Sequence, residues 1–114
     1  MTRTLVLAVS ALAILAARPA AADAVLEARL RAVIADLQHG TPHYEQMAPR
    51  LGRAYRAQEK AAQTQLMSLG ALQKLTFRGA EDGSETYEAT FEFGTSYWTI
   101  GIAEDGKIDQ LIFR

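Results

Sequence analysis

Residues 85–103 read ETYEATFEFGTSYWTIGIA, and apolar side chains recur there at every second position. The pair Gly94-Thr95 separates a first run of such positions from a second run. Alternation with a period of two on both sides of a Gly-X pair predicts a half-buried β-hairpin. This turn pairs Phe91 with Trp98 and Tyr87 with Ile102. The large apolar side chains then share one face, and a shift of the register by one residue would turn half of them outward.

The first 22 residues have the pattern of a secretory signal peptide. Arg3 gives a positive charge, residues 5–17 form an apolar run, and Ala20-Ala21-Ala22 is a small-residue cleavage site before Asp23. This pattern predicts cleavage after Ala22, because the run is too short for a comfortable membrane span. An uncleaved anchor would need a longer run. We therefore expect a periplasmic or secreted protein without membrane contact after cleavage.

Residues 23–114 are predicted to form a single domain of 92 residues. The absence of cysteine excludes disulfides and a thiol-linked lipid, so packing must stabilise this small domain. Its charged residues are 10 basic and 13 acidic, and residues 71–114 carry 8 acids against 4 bases. Nucleic-acid binding requires a basic face, so this composition argues against a nucleic-acid partner.

Two helical regions precede the strands. Apolar residues at helical spacing predict a first helix over 24–38, with Asp23 as its N-cap and Gly40 at its end. A second region runs from about Pro42 to Leu69. Its clean helix is expected to begin at Pro49, after a short turn over 42–47, because proline is tolerated only in the first turn. One amphipathic stripe on this helix comprises Leu51, Tyr55, Gln58, Ala62, Leu66 and Leu69.

The strands are predicted as an antiparallel meander. Strand one is expected over 72–79, its turn over 80–83, and strand four over 108–113. Two forms of the last turn are open. A strict two-residue Asp105-Gly106 turn would point Asp109 inward, whereas a G1 bulge at Gly106 with a second bulge near Asp109 buries Ile108. The bulged form is favoured because it keeps that carboxylate out of the core.

The predicted fold class is α+β, with two N-terminal helices packed on one face of a four-stranded antiparallel sheet. The opposite face of the sheet, with Glu88, Thr90, Glu92, Tyr97 and Thr99, is expected to stay wet or to meet a partner. A homodimer through this face is one of the open alternatives.

Several segments together resemble a known family. They are SLGALQKLTFRG at 68–79, YEATFE at 87–92, WTI at 98–100, DGKI at 105–108 and LIF at 111–113. They resemble the cystatin-like or nuclear-transport-factor-2-like small domain that accompanies bacterial exported serine hydrolases related to β-lactamases. The resemblance covers residues 49–114 and implies a curled sheet with a long helix. Related ketosteroid isomerases use an acid–base pair, but no position here matches that set, so no catalytic residue is inferred.

Four residues are candidates for ligand binding. Tyr55 and Trp98 are candidates for the wall of an apolar pocket, although both are typical core residues. His43 and Tyr44 are candidates for the mouth of a cone. The two histidines, His39 and His43, are separated by Gly40 and Pro42, which interrupt any helix, so neither a metal nor another cofactor is expected.

A basic stripe is the second candidate surface, and it consists of Arg50, Arg53, Arg56 and Lys60. Such a stripe is either a solvated helix face or a docking site for an acidic partner. The sequence favours a non-catalytic exported module that binds a protein or a small apolar ligand, in the context of an envelope serine hydrolase. The alternatives are a small cone-type acid–base enzyme acting on an apolar substrate and a self-associating structural domain.

Overall fold

The computed structural model describes residues 23–114, which form three α-helices followed by a four-stranded antiparallel sheet. The predicted signal peptide lies outside the described residues and stays a prediction. The helices are α1 (Ala24–His39), α2 (Pro49–Ala57) and α3 (Glu59–Met67), with a 3₁₀ turn (Tyr44–Gln46) between α1 and α2. The strands are β1 (Leu72–Glu81), β2 (Ser84–Phe91), β3 (Gly94–Ile102) and β4 (Ile108–Phe113).

The ends of α1 are fixed by the two residues that the sequence indicated. The Asp23 carboxylate accepts hydrogen bonds from the backbone N–H groups of Val25 at 2.8 Å and Leu26 at 3.4 Å. Gly40 ends the helix in the left-handed conformation, with φ of 74°. These caps satisfy backbone groups that a helix leaves without partners. The prediction of a helix over 24–38 is confirmed to within one residue.

The prediction of one continuous second helix is wrong. Pro49 begins α2 and Gly70 follows α3 with φ of 80°, as expected, but the helix is interrupted at Gln58, where φ is −116° and ψ is 17°. The interruption separates two packing partners, because α2 contacts β4 whereas α3 contacts α1. A straight helix would have to pack against β4 and against α1 at the same time. The amphipathic pattern alone does not show that the helix has these two packing partners.

The strands follow one another in the sheet in the order β1-β2-β3-β4, so each connection is a hairpin. The predicted first turn over 80–83 is too long, because β1 continues to Glu81, which pairs with Ser84. Asp82 and Gly83 alone form the turn, with φ of 50° and 82°. Two consecutive residues with positive φ fit the right-handed twist of the strands they join.

The predicted turn of the central hairpin is also wrong. Phe91 pairs with Gly94, so Glu92 and Phe93 form the turn, and Tyr87 pairs with Trp98 instead of Ile102. An even shift in register keeps side chains on their faces, so the predicted inner face is preserved along both strands. Phe93 is the exception, because as a turn residue it is 76% exposed.

The end of α3 determines where this turn lies. The Leu69 carbonyl accepts a hydrogen bond from the Phe93 N–H at 2.9 Å, and the Ala71 carbonyl accepts one from the Glu92 N–H at 3.0 Å. A Cβ atom on Gly94 would lie 2.6 Å from Cδ2 of Leu69. The glycine at position 94 therefore allows the Leu69 side chain to approach the backbone closely, and it is not a residue of the turn itself.

The last hairpin adopts the bulged form that the sequence favoured. Gly106 has φ of 85°, and the Ala103 N–H donates to the Lys107 carbonyl. The ladder passes from the pair Ile102–Ile108 to the pair Gly101–Gln110, so it skips the exposed Asp109. The strict two-residue turn would have required this carboxylate to enter the core. The bulge removes that cost of burying a charge.

Buried side chains of α1, α3 and the sheet form one hydrophobic cluster. Trp98 and Tyr87 are its largest fully buried members. The prediction of an α+β fold with an antiparallel sheet is confirmed at this level. In residues 23–114 no helix has the length and apolar character needed to cross a bilayer.

Candidate functional site

The basic stripe lies on two consecutive helices. Arg50, Arg53 and Arg56 are on α2 and Lys60 is on α3, and all four side chains are exposed. Within residues 23–114, the ion pairs of the structure involve other basic residues, so none of these four cations lies within 4 Å of a carboxylate oxygen. A surface of this kind can attract a negatively charged partner.

One cation of the stripe is held in place by an aromatic ring. The Arg56 guanidinium lies 4.6 Å from the centre of the Tyr44 ring, within the range of a cation–π interaction. The Tyr44 hydroxyl in turn donates to Oε1 of Glu59 at 2.5 Å. Desolvation and this carboxylate raise the pKa of Tyr44 to about 12, so the phenol stays neutral at physiological pH. Tyr44 therefore positions Arg56 while remaining uncharged.

His43 is directed to a different partner from its neighbour Tyr44. Its Nδ1 lies 2.9 Å from Oδ2 of Asp36 on α1, and this hydrogen bond raises the pKa of His43 above its ordinary value. The other histidine, His39, lies with Nδ1 2.7 Å from the Ala35 carbonyl oxygen. Across residues 23–114 no group of three or more His, Cys, Asp or Glu side chains could hold a metal ion.

Tyr55 and Trp98 do not line a common cavity. Trp98 is fully buried, and its indole N–H donates to the Ser96 hydroxyl at 2.6 Å. The Tyr55 hydroxyl donates to the Leu111 carbonyl at 2.7 Å. Phe113 stacks on both rings, with centroid distances of 4.4 Å to Trp98 and 6.5 Å to Tyr55. Both polar groups are satisfied inside the fold, as is usual for core aromatics.

A surface groove of about 330 Å³ runs between β4 and the helices α2 and α3. Tyr55 lines it together with Leu51, Leu111 and Phe113, and amides such as Gln58 contribute polar atoms. Its lining includes no carboxylate and no imidazole. Burial raises the pKa of the Tyr55 phenol well above its ordinary value, so Tyr55 is a weaker acid than a tyrosine in water. The groove can therefore accept apolar groups but offers no acid–base pair.

The outer face of the sheet is polar with two apolar exceptions. The hydroxyls of Thr86 and Thr99 lie 2.9 Å apart, and Arg78 forms an ion pair with Glu88. Tyr97 is 40% exposed and Ile112 is 57% exposed. A homodimer through this face stays a prediction, which sedimentation equilibrium at increasing protein concentration would test.

Glu85 is a buried acidic residue that is not among the site residues predicted from the sequence. Its side chain is only 6% exposed, and its carboxylate accepts hydrogen bonds from the Asp23 backbone nitrogen and the Tyr87 hydroxyl. The alternation that placed Tyr87 inside also places Glu85 inside, two residues earlier on the same face. That signal was present in the sequence.

In comparisons with known proteins, no family model, no curated protein and no solved structure matches the chain. The resemblance to cystatin-like and nuclear-transport-factor-2-like domains therefore remains a prediction. What this chain does has to be inferred from its own surfaces.

Proposed function

We propose that this protein is a non-catalytic exported module that binds an acidic segment of a protein partner through the basic stripe. The observation that carries the proposal is the arrangement of four exposed cations on α2 and α3, none of which forms an ion pair with a carboxylate in the described part of the chain. Solvated helix faces usually alternate the two signs of charge. A single-sign stripe is more typical of docking.

The charge of the whole domain makes this stripe more selective. Residues 23–114 carry 13 acidic and 10 basic side chains, so a polyanion is repelled by most of the surface. We expect the attraction to be strongest at the stripe. Guanidinium groups bind carboxylates through two parallel hydrogen bonds, and three of the four cations are arginines. The contact of Arg56 with Tyr44 reduces the conformational entropy that binding would remove.

The cone-type enzyme receives less support from the same geometry. Such an enzyme requires two titratable groups within reach of one substrate. Trp98 is fully buried, and the Tyr55 hydroxyl already donates to the Leu111 carbonyl. The lining of the groove beside Tyr55 contains no group that exchanges a proton near neutral pH.

The same proposal includes the fold family and the cellular location of the protein. Helices followed by an antiparallel meander support a cystatin-like or nuclear-transport-factor-2-like domain. Arg3, the apolar run and Ala20-Ala21-Ala22 support export to the periplasm or the medium. The resemblance suggests an envelope serine hydrolase as the partner.

A salt series with a defined probe tests the binding mode. We expect poly-L-glutamate to bind the stripe of the wild-type protein. Its affinity should fall as the ionic strength rises from about 0.01 M to 0.15 M. Poly-L-lysine should not bind the stripe, because it carries the same sign of charge. Changing Arg50, Arg53 and Arg56 to Gln should weaken this binding about tenfold at low salt. That factor corresponds to three exposed ion pairs of about 0.5 kcal/mol each.

A matched variant separates the stripe from net charge. Changing Lys74, Lys107 and Arg114 to Gln removes the same number of exposed positive charges from other parts of the surface. This variant should bind as the wild type does. Equal losses in the two triple variants would contradict docking through the stripe. Capture of a serine hydrolase from an envelope extract, lost only in the stripe variant, would then identify the partner.

A further inference from the structure

Glu85 presents its buried carboxylate to the first backbone nitrogen that the structure describes. The Asp23 nitrogen lies 3.0 Å from Oε2 and 3.2 Å from Oε1 of Glu85. The Tyr87 hydroxyl donates to Oε1 at 2.6 Å. No Lys, Arg or His forms an ion pair with Glu85 in residues 23–114. The carboxylate is thus almost fully buried with two donors that are both neutral in an unprocessed chain.

This geometry fits an ammonium group better than a peptide nitrogen. A peptide nitrogen carries one hydrogen, which has to be shared between the two oxygens and then bonds poorly to each. An ammonium carries three hydrogens and a positive charge. A buried carboxylate is strongly destabilising unless a cation or several donors compensate its charge. The position of the Asp23 nitrogen is the place where a positive charge would compensate Glu85.

The sequence supplies a way to place a charge at that nitrogen. Ala20-Ala21-Ala22 is a small-residue cleavage pattern that ends directly before Asp23. We propose that hydrolysis of the Ala22–Asp23 bond by the export peptidase creates an α-ammonium at Asp23 and that Glu85 is its built-in acceptor. Water adds across the peptide bond, Ala22 leaves as a carboxylate, and the nitrogen takes up a proton. The pKa of an α-amino group, about 7.7–8.0, keeps the new terminus charged at neutral pH.

The cap of α1 is compatible with this ion pair. The Asp23 side chain accepts hydrogen bonds from the N–H groups of Val25 and Leu26. It therefore does not compete with the Glu85 carboxylate for the Asp23 nitrogen. The new pair would join the start of α1 to β2, whose residues 85 and 87 supply the acceptor and the second donor. Removal of the signal peptide thereby strengthens the contact between the first helix and the sheet.

An inserted residue tests the inference with the full-length precursor. Placing one Ser between Ala22 and Asp23 keeps the cleavage pattern but moves the new ammonium one residue away, so the Asp23 nitrogen stays an amide. Both mature proteins are recovered after export, and mass spectrometry and N-terminal sequencing define their ends. We expect the wild-type protein to begin at Asp23 and to melt about 4–8 °C above the protein with the inserted Ser.

Glu85→Gln provides the control, because the neutral amide removes the charge that pairs with the ammonium. In this background the two termini should melt within about 1 °C of each other. If Glu85→Gln does not fold, acetylation of the wild-type α-amino group replaces it and should lower the melting temperature by the same several degrees. Equal melting of the wild-type and inserted proteins, or a mature terminus other than Asp23, would overturn the proposal.

Discussion

The Trp98 indole stacks on the Phe113 ring with centroids 4.4 Å apart and ring planes inclined by 14°. The two residues face each other across β3 and β4. Because Phe113 also contacts the Tyr55 ring, the stack connects the centre of the sheet to helix α2. The fold therefore depends on this stack at the point where sheet and helices meet.

Removing the indole should prevent stable folding. Trp98→Ala deletes a fully buried side chain, and such deletions cost about 3–5 kcal/mol. A small domain has little more stability than that. Urea denaturation followed by circular dichroism measures the loss. Tyr97→Ala, at the exposed neighbouring position, is the control and should shift the midpoint far less; comparable shifts in both variants would show that Trp98 is not a core residue.

Gly94→Ala should destabilise the central hairpin by about 1 kcal/mol, because the added Cβ would lie 2.6 Å from Cδ2 of Leu69 and that side chain would have to move. In a Leu69→Ala background the same change should have almost no further effect, since the obstructing atom is gone. A double-mutant cycle in urea gives the coupling energy. Additive effects would mean that the backbone conformation at Gly94, and not the contact with Leu69, makes the glycine necessary.

The contrast between the two glycine-containing turns explains how far the sequence predicts the fold. Gly106 marks a bulge that the local pattern specifies, because any other arrangement would bury Asp109, and this prediction is confirmed. Gly94 looks like a turn residue by the same rules. Its role depends on Leu69, which is distant in sequence, and local patterns contain no information on such a contact. The break at Gln58 was missed for the same reason.

The candidate site was only partly predictable from the sequence. Exposure of the basic stripe follows from helical periodicity, which places these residues opposite the apolar stripe. Whether Tyr55 and Trp98 share a pocket depends on how α2 crosses β4, and periodicity does not determine that crossing. The burial of Glu85, in contrast, follows from the period-two alternation once that pattern is applied to a carboxylate as well as to apolar residues.

The pair of His43 and Asp36 should make stability depend on pH near neutrality. Asp36 raises the pKa of His43 above its unfolded value of about 6.5. The stabilisation is then complete below that value and is lost as the pH rises through the folded-state pKa. We expect His43→Gln to flatten the decline in melting temperature between about pH 6 and pH 8. His39→Gln, whose ring contacts only the Ala35 carbonyl in the structure, should retain the decline.

Tyr55→Phe distinguishes a structural tyrosine from a catalytic one. The change keeps the ring that contacts Phe113 and removes only the donor to the Leu111 carbonyl. Loss of this hydrogen bond should lower the free energy of unfolding by about 1 kcal/mol. Binding of poly-L-glutamate should be unchanged, because the hydroxyl points into the fold and away from the basic stripe. Urea denaturation and the salt series measure the two quantities on the same samples.

Tyr44→Leu is the contrasting variant for the stripe. It removes the aromatic ring beside Arg56 and should weaken binding, since the cation–π contact that holds this cation is lost. Weakened binding in Tyr55→Phe at unchanged stability would assign Tyr55 to the ligand site and would favour the groove over the stripe.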